Sequence, residues 1–291
     1  MTPDFATTTP MRDAETNTKP HFALPPDSCD SHFHVFESGY AHIAKPLYTF
    51  PDATLHQYRR MAHVLGLERM VLVQPTYYGT DNRLTLDVLR QVGPACRAVV
   101  QIDEDIADAE LDRYNELGVR AIRLDLFARA TWPIKDLAAY IRRMATRAAA
   151  RGWHLQFYSP GTVVRDLLPF LGTFETRFVI DHMGYMLKTD GLTDSDFGHL
   201  LDVLEQGNCW IKLSGPYRIA KSKPLSSVEP IARALVAARS DRLIWGTDWP
   251  HLPDGQRDTG ELLNLLAEWA PSAQDRHRIL VESPGALFFD A

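Results

Sequence analysis

Eight short apolar or β-branched runs recur along this chain of 291 residues, each followed by a stretch with helical patterning. The runs are 28–32, 69–74, 97–102, 119–125, 153–158, 177–182, 209–214 and 242–248. The helical stretches are 54–65, 82–92, 108–117, 135–150, 163–171, 194–206 and 226–238, with a closing helical region at 260–282. Strict strand–helix alternation without a long linker predicts a single parallel sheet, and eight repeats close it into a barrel. Gly66, Gly118 and Gly152 sit where helices should end in a left-handed residue. Asp194 and Ser226 read as helix N-caps. The rival, an open doubly wound sheet, usually has fewer strands and often a glycine-rich phosphate turn after the first, which this chain lacks. The expected fold class is α/β, a (β/α)₈ barrel over 21–291, preceded by a disordered arm at 1–20 that is polar and has no apolar leader core.

Composition narrows the partners. A net charge of −6 argues against nucleic acid, because phosphate binding needs a clustered basic surface. No apolar run approaches the ~20 residues of a membrane span. Cys29, Cys96 and Cys209 are scattered, with no metal or disulfide spacing. They suit burial in a reducing cytoplasm.

Active sites of parallel barrels lie at the C-terminal ends of the strands. The first run ends Asp30-Ser31-His32-Phe33-His34, and period-2 alternation puts Asp30, His32 and His34 on one face. The sixth ends Asp181-His182, and the eighth ends Gly246-Thr247-Asp248-Trp249-Pro250-His251. Any one of these is more often a satisfied polar residue than a catalyst. Three histidines and an aspartate converging on one mouth are better explained by chemistry.

These motifs resemble the amidohydrolase superfamily: His32-x-His34, Ile180-Asp181-His182, and the string from Trp245 to His251. More narrowly they resemble its lactonase branch, whose members open 2-pyrone-4,6-dicarboxylate and sugar-acid lactones. The resemblance runs from about Asp27 to the Ser283–Phe288 segment and implies a distorted TIM-like barrel. It implies His32, His34, His182, Asp248 and Tyr158 as catalytic residues, with Thr76, Arg123, Arg129, Tyr185 and Arg218 binding substrate. Guanidinium forks suit carboxylates on general grounds. Arg120, out of phase with Arg123, is expected to face the helix layer.

The wider superfamily holds divalent ions, but here the fourth run offers no lysine or glutamate bridge, and the fifth has His154 at its wrong end. The expectation is therefore no metal and no other cofactor. The alternative is one zinc on His32, His34, His182 and Asp248. In the metal-free case the three imidazoles would donate to the ester carbonyl and Asp248 would activate water. Tyr185 stands where an arginine is expected in the pyrone-dicarboxylate members, which tips the expected substrate toward an aldaric-acid lactone such as a galactaro- or glucarolactone, and the role toward carbohydrate acid catabolism. The alternatives are 2-pyrone-4,6-dicarboxylate hydrolysis, a metal-dependent decarboxylase of the same superfamily, and a non-catalytic carboxylate-binding protein. Assembly into a homo-oligomer stays open.

Overall fold

The computed structural model describes residues 11–43, 52–187, 191–252 and 255–290. All eight expected strands form, and they make one parallel sheet in sequence order. They are β1 Cys29–Phe33, β2 Arg69–Val73, β3 Cys96–Val100, β4 Val119–Asp125, β5 His154–Tyr158, β6 Phe178–Ile180, β7 Cys209–Leu213 and β8 Leu243–Trp245. The barrel closes where Asp248 N–H donates to His32 O at 2.8 Å and His34 N–H donates to Trp249 O at 2.8 Å. Chain segments at the ends of β1 and β8 thus seal the seam where three of the expected catalytic residues, His32, His34 and Asp248, sit.

The outer layer is α1 Leu55–Leu65, α2 Arg83–Val92, α3 Asp108–Leu117, α4 Ile134–Ala149, α5 Gly161–Leu171, α6 Asp194–Glu205, the short α7 Pro216–Ala220, α8 Glu229–Arg239, α9 Thr259–Trp269 and α10 Ala273–His277. Local chemistry sets their ends. Thr54 and Gln57 form a capping box on α1, and Gly66 ends that helix at φ 80°. Gly118 and Gly152 also take positive φ, as expected. The cap of α6 is Thr193, boxed with Asp196, so Asp194 is the first helical residue and not the N-cap. Ser226 lies inside a 3₁₀ turn, Leu225–Val228, that leads into α8. No described helix is long and apolar enough to cross a membrane.

Inside the barrel, an apolar layer of Val71, Val99, Ala121, Val179, Trp210 and Ile244 packs with Cys29 and is plugged by Leu287 and Phe288 from the C-terminal segment. The polar residues of the site stand above this layer on the same strands. Strict alternation fails in β1, whose register shifts between Asp30 and Phe33. Asp30 consequently leaves the mouth: its carboxylate accepts from the Tyr58 hydroxyl at 3.0 Å and the Thr247 hydroxyl at 2.7 Å.

The expected arm at 1–20 is described only in its second half. Residues 1–10 lie outside the described residues, but from Met11 the chain is ordered against α9. Arg12 pairs with Asp258 at 2.9 Å, Asn17 Oδ1 accepts from Thr259 N–H at 2.8 Å, and Asn264 accepts from His21 N–H at 2.7 Å. The polar residues that suggested disorder supply the hydrogen bonds that fix the start of that helix.

Gly246 marks the tightest point of the seam, where an added Cβ would meet His32 Cβ at 2.6 Å and His32 N at 2.8 Å. Overpacking of this kind costs about 1–3 kcal/mol. Gly246→Ala should lower the thermal unfolding midpoint by several degrees. An unchanged midpoint would mean that the seam is looser than described.

Candidate active site

Four expected residues meet at the mouth. His32 and His34 rise from the end of β1, with their Nε2 atoms 3.3 Å apart. His182 follows β6 in a loop of left-handed residues, with φ 52° at His182, 50° at Met183 and 53° at Tyr185. Asp248 follows β8 at φ 59°. Each such non-glycine residue costs of order 1–3 kcal/mol and persists only where its surroundings fix it. Asp248 Oδ1 lies 3.8 Å from Nε2 of His32 and of His34, and 4.0 Å from Nε2 of His182. Gly215 makes room for this: a Cβ there would approach His182 Nδ1 to 2.8 Å and Asp248 Oδ2 to 3.2 Å.

Asp248 is fully buried and already partnered. Arg218 grips it through Nε and through Nη2 at 3.2 Å, and the Tyr217 hydroxyl donates to Oδ2 at 2.5 Å. Burial pushes this carboxyl up, but Arg218, reinforced by His182 and His32, outweighs it and holds Asp248 far below the carboxylate range. The imidazoles are pushed the other way. Burial, then the nearby Arg123 charge, brings His34 down to about 3. Burial brings His182 to about 4 against the pull of Asp248. His32 is lowered by burial and by Lys212. All three rings are therefore neutral at pH 7.

A second layer lies beneath. Lys212 of β7, wholly buried, has its Nζ 2.8 Å from Gln156 Oε1, 3.2 Å from His32 Nδ1 and 3.4 Å from Asp181 Oδ1. Gln156 Nε2 in turn donates to Asp181 Oδ2 at 3.0 Å. The sequence reading missed Lys212 and Tyr217. The available signal was a charged residue inside the otherwise apolar run Cys209–Leu213.

The mouth opens into a cavity of about 600 Å³. Its polar end is His34, Arg123, Tyr158, His182, Arg218 and Asp248, and its other walls include Phe36, Ile43, Tyr77, Phe127 and Leu252. Arg123 stacks over Tyr158 at 4.5 Å and donates to Gln74 O at 3.1 Å, while its buried Nε has no hydrogen-bond partner among the described residues. Thr76 lines the cavity, but its hydroxyl is given to Asp125 at 2.7 Å. Two expected substrate contacts sit elsewhere. Arg129 lines an adjoining cavity of about 290 Å³, stacked on Tyr140 at 4.7 Å. Tyr185 packs behind the wall, 5.7 Å from the His182 ring and 6.4 Å from that of Tyr158. Arg120 faces α3 as expected, donating to Asn115 O at 2.9 Å.

The donor atoms of His32, His34 and Asp248 lie within 4.8 Å of one another, a grouping that could hold a metal ion, and so do those of His32, Asp181 and His182. Nitrogen and oxygen donors suit zinc, and bonds of about 2.0–2.1 Å in a tetrahedron put ligands roughly 3.3 Å apart. The donors fit in kind and nearly in spacing. The charge around them does not fit: Arg218 and Tyr217 already engage Asp248, and Lys212 and Arg123 add positive charge beside the histidines. As bonded here, a cation on this set would have to compete with Arg218 for Asp248.

A parallel barrel with a histidine–aspartate mouth defines a class of hydrolytic enzymes. The amidohydrolase family model matches residues 29–289, and the chain belongs to that family. It is 34% identical to a 4-sulfomuconolactone hydrolase of Hydrogenophaga intermedia, over 92% of this chain and 90% of that one. It is also 34% identical to a 2-pyrone-4,6-dicarboxylate hydrolase of Comamonas testosteroni, over 93% of each. A D-galactarolactone isomerase of Agrobacterium fabrum is 30% identical over 94% of each. The chain is an enzyme of the lactone-hydrolysing kind, acting on an ester bond.

Neutral histidines have a thermodynamic consequence. An unfolded imidazole takes up a proton near 6.5, whereas folded His34 and His182 wait until about 3 and about 4. The unfolded state binds more protons over that interval, so stability from these groups is lost as pH falls from about 6.5 toward 4. An NMR titration should show neither ring charging between about pH 5 and pH 8. A midpoint near 6.5 for either would contradict the buried, cation-flanked site.

Proposed function

We propose that the chain hydrolyses a small lactone with a planar, unsaturated ring and an anionic substituent, using its own side chains. The observation that carries this reading is the approach of three neutral imidazoles to one ionised carboxylate, at 3.8 to 4.0 Å, beside the Arg123 guanidinium.

His34 Nδ1 lies 2.7 Å from Val73 O, and a carbonyl only accepts, so the His34 proton is on Nδ1 and its Nε2 is a lone pair. Donation to the lactone carbonyl therefore falls to His182, which lines the cavity and whose Nδ1 lies 2.9 Å from a Ser214 hydroxyl able to donate to it, and to His32 once its N–H leaves His34 Nε2. This amends the expectation that all three rings donate. The substrate anion draws on Arg123 and competes for Arg218, which lines the same cavity. Release of Arg218 frees Asp248 Oδ1, the oxygen that faces the imidazoles, to receive a proton from water, while Tyr217 keeps its bond to Oδ2. The water oxygen bonds to the carbonyl carbon, and the oxyanion forms against His32 and His182. Collapse breaks the ring C–O bond, and Asp248 returns its proton to the departing ring oxygen. Tyr158, under Arg123 and with its ring 6.1 Å from that of His182, borders the oxygen that gains charge.

The walls favour the planar ring. Phe36, Tyr77, Phe127 and Tyr158 offer flat apolar faces. The sugar-acid preference rested on Tyr185, which is not among the described residues lining this cavity. The 4-sulfomuconolactone and pyrone-dicarboxylate relatives carry names of this substrate type. We place the activity in the cytoplasm, in keeping with three buried, unpaired cysteines.

Asp248→Asn should lower kcat by about 10²–10⁴-fold, the usual cost of a lost general base, with KM little changed. Activity within a few-fold of the parent would assign water activation to another group. Arg123→Met should lower kcat/KM by roughly ten- to a hundred-fold, mainly through KM, since a charge-assisted bond contributes about 1.5–3 kcal/mol. On a panel of lactones read by proton release, carboxylated pyrones and muconolactones should exceed aldarolactones in kcat/KM. The reverse order would restore the sugar-acid substrate.

A further inference from the structure

We infer that Lys212 sets the tautomer of His32, and thereby makes its Nε2 a hydrogen-bond donor beside the cavity instead of a metal ligand. The Lys212 ammonium donates to Gln156 Oε1 at 2.8 Å and to His32 Nδ1 at 3.2 Å, and it pairs by charge with Asp181 Oδ1 at 3.4 Å. The Gln156 amide is oriented by its bond from Nε2 to Asp181 Oδ2, which turns Oε1 toward the lysine. The side chains of His32, Asp181 and Lys212 are all fully buried. His32 Nδ1 also lies 3.4 Å from Asp181 Oδ1, but that oxygen has no partner with hydrogen-bond geometry among the described residues. Nδ1 therefore accepts from Lys212, and the ring proton is on Nε2.

The rest of the chain of bonds agrees. His32 Nε2–H meets His34 Nε2 at 3.3 Å, and His34 is a pure acceptor there because its own proton goes to Val73 O. The run Lys212 to His32 to His34 to Val73 donates in one direction throughout. A cation at this mouth would need lone pairs on both Nε2 atoms; His34 already offers one, so His32 would have to move its proton to Nδ1. Metal-bound histidines usually donate their other N–H to a carboxylate or carbonyl. Asp181 would be that carboxylate, and Lys212 stands at the nitrogen that would have to donate to it. Lys212 is thus a positioning residue, acting on the reaction through His32.

The inference rests on the lactonase reading only for its kinetic consequence, and the two structural measurements need no substrate. In metal-free protein labelled with ¹⁵N-histidine, long-range ¹H–¹⁵N correlations should show His32 protonated at Nε2 and His34 at Nδ1. Protonation of His32 at Nδ1 overturns the proposal, whatever the enzyme's substrate. In Lys212→Met the His32 proton should move to Nδ1, facing Asp181, and calorimetric titration should show zinc bound about 10–100-fold more tightly than by the parent, the scale of outer-partner effects on metal affinity. Equal zinc affinity in the two proteins overturns it. On a turned-over lactone, Lys212→Met should lower kcat by about 10²–10³-fold, the cost of one carbonyl-oxygen donor, with KM nearly constant. Loss expressed in KM alone overturns it. If Lys212→Met does not fold, the tautomer spectrum of the unaltered protein decides alone. Absence of lactone turnover with the expected tautomers would sink the substrate reading and leave this one standing.

Discussion

A carboxylate with no solvent exposure remains an anion only where charge and hydrogen bonds replace its lost water. Asp248 is such a group, and much of the mouth serves it. Arg218 and Tyr217 supply the compensation, and Gly215 leaves the space that lets His182 stand beside it. Gly246 lets β8 close on β1, so that the Asp248 amide reaches His32 O. The same clasp that keeps Asp248 ionised makes it a poor base in the free protein. In the proposed mechanism a substrate anion that attracts Arg218 would relieve this, so that substrate recognition and water activation would depend on one guanidinium.

A parallel arrangement lies one layer down. Lys212 and Asp181 are a buried ion pair bridged by Gln156, held above the apolar layer that Leu287 and Phe288 plug from below. Removing one member of such a pair is costly because the other charge is stranded. On the inference drawn for Lys212, that dependence would tie the tautomer of His32 to the integrity of this pair.

The eight strands were legible because each is a compact apolar run ended by polar residues, and the left-handed glycines 66, 118 and 152 punctuate them. The meeting of His32, His34, His182 and Asp248 was legible from strand ends alone. What was not legible were placements that depend on a neighbour's position. Asp30 alternates correctly in sequence, but a register shift in β1 sends it to Tyr58 and Thr247. Arg129 follows β4 as a clamp would, yet its stacking on Tyr140 carries it into the next cavity. Tyr185 follows His182 closely, but successive left-handed residues turn it behind Tyr158. Residues 11–20 looked like an arm because their role, bonding to the start of α9, depends on Asp258 and Thr259 far along the chain. Lys212 was hidden by the apolar residues on either side of it.

The central claim is that the imidazoles and Asp248 hydrolyse the lactone without a bound cation. The most direct measurement is turnover of a carboxylated lactone, followed by proton release, on protein dialysed exhaustively against chelator and analysed for metals in the same sample. The account predicts an undiminished rate with metal far below one equivalent per chain. A rate that disappears with the metal, and returns in proportion to added zinc up to one equivalent, would contradict it.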